Sequence, residues 1–249
     1  KDAVREDTVL ISLMYVNNET GYIMPIRLAK KILREKNDFG LVHSDCVQAF
    51  SKTIFTPDTI NADLISISGH KTYAPKGIGA LYIRNKTNIL PIIFGGGQES
   101  GIRSGTENIS GACAFGYVCE KYASDQAIIK NAHLIRELNT YFREKALEYD
   151  FIKINSTEED SEYIISFYID KINAETLVHF LYDKGIVVSS GAACSSKKSE
   201  NAILKEFKFS KEAALSSVRV SFGIENTKED MDKLIKELVN ANNTLAKRI

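Results

Sequence analysis

Lys71 closes the run Ser66-Ile67-Ser68-Gly69-His70-Lys71, directly after an alternating apolar segment and a glycine. Ala62-Asp63-Leu64-Ile65-Ser66-Ile67 reads as a strand of a covered sheet, and loops leaving the carboxyl ends of such strands are where α/β proteins hold ligands. A lysine displayed there can condense with a carbonyl cofactor; the ordinary alternative is a surface lysine after a turn. Upstream, Val42-His43-Ser44-Asp45-Cys46-Val47-Gln48-Ala49 is a second apolar strand that ends in a carboxylate, with Gln48 three residues further on. Pyridoxal chemistry needs an aspartate against the pyridinium nitrogen to keep the ring an electron sink. Asp45 suits that part, and Gln48 can hydrogen-bond the ring's phenolic oxygen; the alternative for Asp45 is a helix N-cap.

A nucleophile is the third ingredient. Val188-Ser189-Ser190-Gly191-Ala192-Ala193-Cys194-Ser195-Ser196-Lys197-Lys198 sets one cysteine among small residues, with two lysines close behind. Small neighbours leave the thiol uncovered, and nearby ammonium groups favour the nucleophilic thiolate. The competing reading is a small buried apolar cysteine.

These motifs belong to a longer series: Asn17-Asn18-Glu19-Thr20-Gly21, His43 to Gln48, Ser68-Gly69-His70-Lys71, Gly95-Gly96-Gly97-Gln98-Glu99, Arg103-Ser104-Gly105-Thr106-Glu107-Asn108, Ser189 to Ser196 and Ser217-Val218-Arg219-Val220-Ser221. In order and spacing the series resembles the pyridoxal-phosphate-dependent cysteine desulfurases of the class-V aminotransferase family. The loop around Cys194 is similar to the long-loop group that supplies sulfur for iron-sulfur clusters and tRNA thiolation. The resemblance spans essentially the whole chain and implies a fold-type I α/β transferase with pyridoxal 5'-phosphate on Lys71. It implies that free L-cysteine is converted to L-alanine while Cys194 takes the sulfur as a persulfide and carries it to an acceptor, an iron-sulfur scaffold or a tRNA-thiolation protein. Ser68 and Gln48 join Asp45 around the cofactor, and His70 lies over the ring or shuttles protons. The resemblance further implies that Asn18 sits near the cofactor's oxygen and the substrate, and that Arg219 forks onto the substrate carboxylate. Thr106 matches a family residue that reaches the phosphate of the other subunit's cofactor, so the resemblance implies a homodimer. Without the resemblance, Arg219 reads equally as a strand-edge charge and Thr106 as a turn residue.

Family members carry a substantial stretch before the segment that corresponds to Lys1, with a phosphate-cradling loop and a ring-stacking histidine. Neither has a replacement here, nor does any G-x-x-x-x-G-K-[S/T] loop occur. The resemblance therefore implies a fragment, a nicked chain or an incompletely recorded one. Competing functions are another pyridoxal enzyme of the same fold, such as an aminotransferase or selenocysteine lyase, and a non-catalytic fragment.

Composition adds bounds. With 249 residues, 44% hydrophobic, and a formal net charge of zero, the chain can bury a sizeable core. It offers no global electrostatic reason to expect nucleic acid or an anionic membrane as main partner. The start lacks the form of a signal peptide, so a cytoplasmic location is the default expectation. The four cysteines show no disulfide-scaffold or zinc spacing, and no structural metal is expected. Cys113 and Cys119 read as packing residues of an apolar helix, and Cys46, beside Asp45, as a candidate to touch the cofactor. His133 and His179 read as surface or packing residues, and His43 is left unassigned.

To hold these groups the chain needs strands at about 8–14, 40–44, 63–68 and 79–83 with a helix over 25–36. Strands alternating with helices predict a mostly parallel, helix-covered sheet. A charged helix over 126–149 leads to a smaller α+β domain with strands at 163–170 and 217–222 and helices at 174–183 and 201–207. A last helix opens at Asn226-Thr227 with Met231, Leu234, Ile235 and Leu238 along one face. The expected division is residues 1–125, the cofactor domain, and 126–249, the small domain with the cysteine loop.

Overall fold

Alternation along Leu41–Asp45 buries Val42 and Ser44 and leaves Leu41, His43 and Asp45 half-exposed, as expected of a strand whose successive side chains point to opposite faces. The computed structural model describes residues 1–190 and 202–246. They fall into two units, Lys1–Val16 with Met24–Ile129, and Asn17–Ile23 with Lys130–Ile249.

The first unit contains β1 (Leu10–Met14), α1 (Ile26–Arg34), β2 (Leu41–Asp45), α2 (Pro57–Ile60), β3 (Leu64–Ser68), β4 (Gly79–Ile83), α3 (Ile109–Tyr122) and the start of α4 (Asp125–Leu147). Its sheet has the order β1-β2-β3-β4; β1 and β2 pair in parallel, as do β2 and β3, and β4 runs antiparallel to β3. The reversal has a simple cause. The Gly69–Ile78 connection folds on itself, Gly69 N–H donating to Ile78 O at 2.9 Å, and is too short for the crossover that a parallel pair requires. The carboxyl ends of β1, β2 and β3 consequently share one edge of the sheet.

Helix α1 buries Ile26, Lys30 and Leu33, spaced for one face. The buried Lys30 ammonium pairs with Asp63, which also accepts from Val42 N–H at 2.8 Å, while Lys30 reaches Gly40 O at 3.4 Å. Removing either partner would strand a buried charge, so this pair fixes α1 against the sheet.

The second unit holds most of α4, then β5 (Ile152–Ile154), β6 (Ile164–Ile169), α5 (Ala174–Tyr182), α6 (Ala202–Glu206), α7 (Lys211–Ser216), β7 (Ser217–Ser221) and α8 (Lys228–Leu245). Strands β5-β6-β7 form an antiparallel sheet. β6 is buried at nearly every residue, which requires cover on both faces. Phe142 of α4 and Phe167 of β6 are fully buried, with ring centroids 5.5 Å apart. Helix α8 begins at Thr227 with a reciprocal cap, Thr227 Oγ1 accepting from Asp230 N–H and Asp230 from Thr227 N–H. It buries Met231, Leu234, Ile235, Leu238 and Ala241.

Asn17–Ile23 follows β1 in the chain yet is fastened to the second unit. Ser156 Oγ donates to Thr20 O at 2.6 Å and Ser161 N–H to Gly21 O at 2.9 Å. Gly21 has φ +83°, and a Cβ there would lie 3.2 Å from Ile164 O, so both backbone conformation and close approach demand glycine.

Candidate active site

In the first unit, the carboxyl ends of β2 and β3 bring together Asp45, Gln48, Ser68, His70 and Lys71. Asp45 lies in register opposite Ser66, so the strand ending in the aspartate neighbours the strand that leads to the lysine. Asp45 Oδ1 accepts from Val47 N–H at 2.9 Å, which closes the turn after β2. Its Oδ2 takes no hydrogen bond among the described residues, so the carboxylate caps its own turn and still offers one oxygen outward. Gln48 is half-buried, its Oε1 3.4 Å from Lys52 Nζ.

Lys71 ends a 3-10 turn, Gly69–Lys71, set immediately after β3. The turn is rigid. Gly69 O accepts from the backbone N–H of Thr72 and Ala74 and from Thr72 Oγ1, and Thr72 is fully buried. A Cβ on Gly69 would lie 3.0 Å from Ala74 Cβ and Ile78 Cγ2. Between these anchors the half-exposed Lys71 amine has no hydrogen bond or ion pair among the described residues. His70 is exposed, with Nδ1 2.7 Å from Ser68 Oγ. An open carboxylate oxygen, a free amine and a hydroxyl-oriented imidazole on one sheet edge suit a pyridoxal-type cofactor.

Thr106 is exposed in the segment leading to α3, whose N-cap Asn108 accepts from Gly111 N–H at 3.0 Å. It forms no hydrogen bond with the strand-end residues. The preceding glycine-rich turn is held by Gly105 N–H donating to Gln98 Oε1 at 3.0 Å.

The second unit carries Arg219 and Asn18. Arg219, in β7, donates from Nη1 to the Asn18 carbonyl at 2.7 Å. Its Nε is buried without a hydrogen-bond partner among the described residues. Burial pulls the guanidinium pKa below its ordinary value, opposed by the nearby Glu19 carboxylate, yet a guanidinium stays charged at any physiological pH. A charged group with an unsatisfied buried N–H is built to meet an anion, and a carboxylate matches it. The loop that positions Asn18 is organised by Asn17, whose Oδ1 accepts from the backbone N–H groups of Glu19 and Thr20. Asn18 is half-exposed, and its side-chain amide makes no hydrogen bond among the described residues. On the other side of Arg219, Ser189 forms a backbone bridge, with Arg219 N–H to Ser189 O at 2.6 Å and Ser189 N–H to Arg219 O at 3.1 Å. Cys194 lies outside the described residues.

Two cysteine expectations are corrected. Cys46 does not face the strand-end cluster. It falls on the side opposite Asp45, fully buried, its thiol 3.5 Å from Ser44 Oγ, and burial pushes its pKa up to about 11. Cys113 is not a packing residue: α3 buries Gly111, Phe115 and Val118, and Cys113 projects from the exposed side. One residue the sequence left unassigned acquires a place. His43 stands between two serines, Nδ1 2.7 Å from Ser12 Oγ and Nε2 2.8 Å from Ser66 Oγ. Its two-residue offset from Asp45 was the available signal, since that spacing puts both on one face of β2.

Comparison with known proteins shows the family and the fold. Residues 1–234 match the family described as aminotransferase class-V. The cysteine desulfurase IscS of Dictyoglomus turgidum is 37% identical over 235 residues, covering 93% of this chain and 59% of that protein. The protein of the same name from Clostridium botulinum strain Hall is 36% identical over 242 residues, covering 96% and 60%. Among solved structures, a NifS-like protein superposes with a TM-score of 0.87 at 31% identity, over 98% of this chain and 64% of that one. A NifS-like protein from Rickettsia africae gives 0.82 at 27%, over 94% and 62%. The α/β fold is thus the fold-type I architecture expected from the sequence, and the chain spans about three fifths of the length of these curated relatives.

Proposed function

Because the chain belongs to the aminotransferase class-V family, we propose that it acts as a pyridoxal-phosphate-dependent cysteine desulfurase. In this reading it converts L-cysteine to L-alanine and passes the sulfur to an acceptor protein for iron-sulfur cluster assembly or tRNA thiolation. The observation that carries the proposal is the placement of Asp45, with one open carboxylate oxygen, and Lys71, with an unengaged amine, at the carboxyl ends of neighbouring parallel strands.

Pyridoxal phosphate, when bound, supplies an electron sink for negative charge developing at the substrate's α-carbon. Asp45 Oδ2 would hold the proton on the ring nitrogen, and Gln48 would donate to the ring's phenolic oxygen. Lys71 would hold the cofactor covalently, and its amine, when free, would move the proton at the substrate's α-carbon. Ser68 fixes the His70 imidazole through the 2.7 Å contact, and that imidazole would then stack on the cofactor or relay protons. Arg219 binds the carboxylate of L-cysteine with the donors that Asn18 leaves free. The Cys194 thiolate attacks the substrate sulfur. A sulfur–sulfur bond forms and the carbon–sulfur bond breaks, and the electron pair left on carbon takes a proton to give alanine, leaving a persulfide on Cys194. From the persulfide the outer sulfur passes to a thiol of the acceptor. Thr106 contributes to the phosphate site of the partner subunit in a homodimer. No helix among the described residues is long and apolar enough to cross a membrane, and we place the enzyme in the cytoplasm.

The test is product analysis. Purified protein given L-cysteine and a thiol reductant yields alanine and sulfide in equal amounts; an aminotransferase instead yields a keto acid and consumes an amino acceptor. Absence of alanine with the cofactor demonstrably bound would overturn the proposal.

A further inference from the structure

On the same face of β2 as Asp45, the His43 imidazole spans three strands: it meets Ser12 of β1 through Nδ1 at 2.7 Å and Ser66 of β3 through Nε2 at 2.8 Å. Its register partners are Ser12 and Leu64. The contact with β3 is therefore diagonal, leaning toward the carboxyl ends where the candidate site lies. Ser66 is itself the register partner of Asp45. Neighbouring strands lie about 4.8 Å apart, so the Ser66 hydroxyl is close enough to swing onto the Asp45 carboxylate. Instead it is engaged by His43, and Asp45 Oδ2 stays open.

We infer that His43 is a positioning residue that holds the Ser66 hydroxyl away from Asp45 and so keeps the carboxylate available to a ring nitrogen. The inference rests on the proposed pyridoxal phosphate chemistry. It requires the tautomer with hydrogen on Nδ1, which donates to Ser12, while Nε2 accepts the single Ser66 hydroxyl hydrogen. A serine committed in this way has no proton left for Asp45. When the imidazole is lost, the hydroxyl is free to turn to Asp45 and donate to it, and the ring nitrogen then competes with a charge-assisted hydrogen bond.

The experiment measures the dissociation constant for pyridoxal phosphate by absorbance titration of the purified protein, with circular dichroism to verify folding. His43→Ala weakens binding roughly ten- to hundredfold, the worth of one hydrogen bond to a charged group. Ser66→Ala binds within a few-fold of the parent because no hydroxyl remains to compete. The double variant His43→Ala/Ser66→Ala returns to the level of Ser66→Ala. His43→Gln, whose amide oxygen can accept from Ser66, retains most of the affinity and serves if His43→Ala does not fold. A double variant as weak as His43→Ala would make the imidazole a mere tie between strands and overturn the inference, as would a His43→Ala protein that binds like the parent. A parent protein that binds no cofactor removes the proposed function as well, whereas a binding parent with indifferent variants sinks the inference alone.

Discussion

Replacing Arg219 by lysine keeps the positive charge and removes the planar fork. The guanidinium already spends Nη1 on the Asn18 carbonyl at 2.7 Å, and its buried Nε has no partner among the described residues. Arg219 can thus hold the loop with one donor and a substrate carboxylate with others at the same time. An ammonium is a single point; if it satisfies Asn18 it reaches the carboxylate poorly, and if it turns to the carboxylate the Asn18 carbonyl is left unpaired. Either way one charge-assisted hydrogen bond of about 1.5 to 3 kcal/mol is lost, which corresponds to a fall in kcat/KM of roughly tenfold to hundredfold. The assay is steady-state alanine formation over a range of L-cysteine concentrations, with visible absorbance of the bound cofactor as the control. The loss is expected in KM above all, with the absorbance unchanged, because on the proposed function Arg219 meets the substrate and not the cofactor. Kinetics equal to the parent's would refute the carboxylate-clamp reasoning and leave Arg219 as a structural tie to Asn18.

Lys71→Ala is expected to abolish turnover and the yellow colour of the lysine-bound cofactor, since no other lysine lies on the Gly69–Lys71 turn; borohydride-reducible cofactor attachment surviving in the variant would argue against Lys71. Cys194→Ser should leave that absorbance intact while eliminating the persulfide and most desulfuration, because a hydroxyl is a far poorer nucleophile toward sulfur than a thiolate; undiminished alanine production would make Cys194 a bystander. The Cys46 thiol, raised from 9.0 to about 11 by burial, stabilises the fold fully below pH 9. That contribution is lost as pH rises from 9 through about 11, reaching on the order of 2 to 3 kcal/mol. Chemical denaturation from pH 8 to 11 should therefore show a steeper decline for the parent than for Cys46→Ala, and parallel curves would contradict the assignment.

Local signals carried the sequence reading where one side chain determines one structural event. Thr227 caps α8 and Met231, Leu234, Ile235 and Leu238 line its buried face because capping and helical spacing are written within a few residues. The strand bounds at Gly79–Ile83 coincide for the same reason. Three elements gave no comparable signal: α2 has four residues, β5 has three, and α7 is a six-residue segment begun by Ser210. A three-residue strand is too short for alternation to register, and β5 exists because β6 is there to pair with it. Cys113 shows the complementary failure, since an apolar helix does not disclose which of its faces is covered until its neighbours are in place.

The site divides along the same line. The strand-end positions of Lys71 and Asp45 were legible because each is marked by its own neighbours, and the parallel order of β2 and β3 then makes those ends adjacent. His43 was not, because its meaning depends on Ser12 and Ser66, which lie on strands before and after its own and reach it only through the register of the sheet. The Asn18 carbonyl that holds Arg219 was equally hidden, being a backbone atom 201 positions away in the chain. Candidate reactive groups declare themselves by type and local setting. Those that hold them are selected by tertiary distance, so a Ser→Ala change at Ser66, inconspicuous in the sequence, is what separates a positional role for His43 from a merely cohesive one.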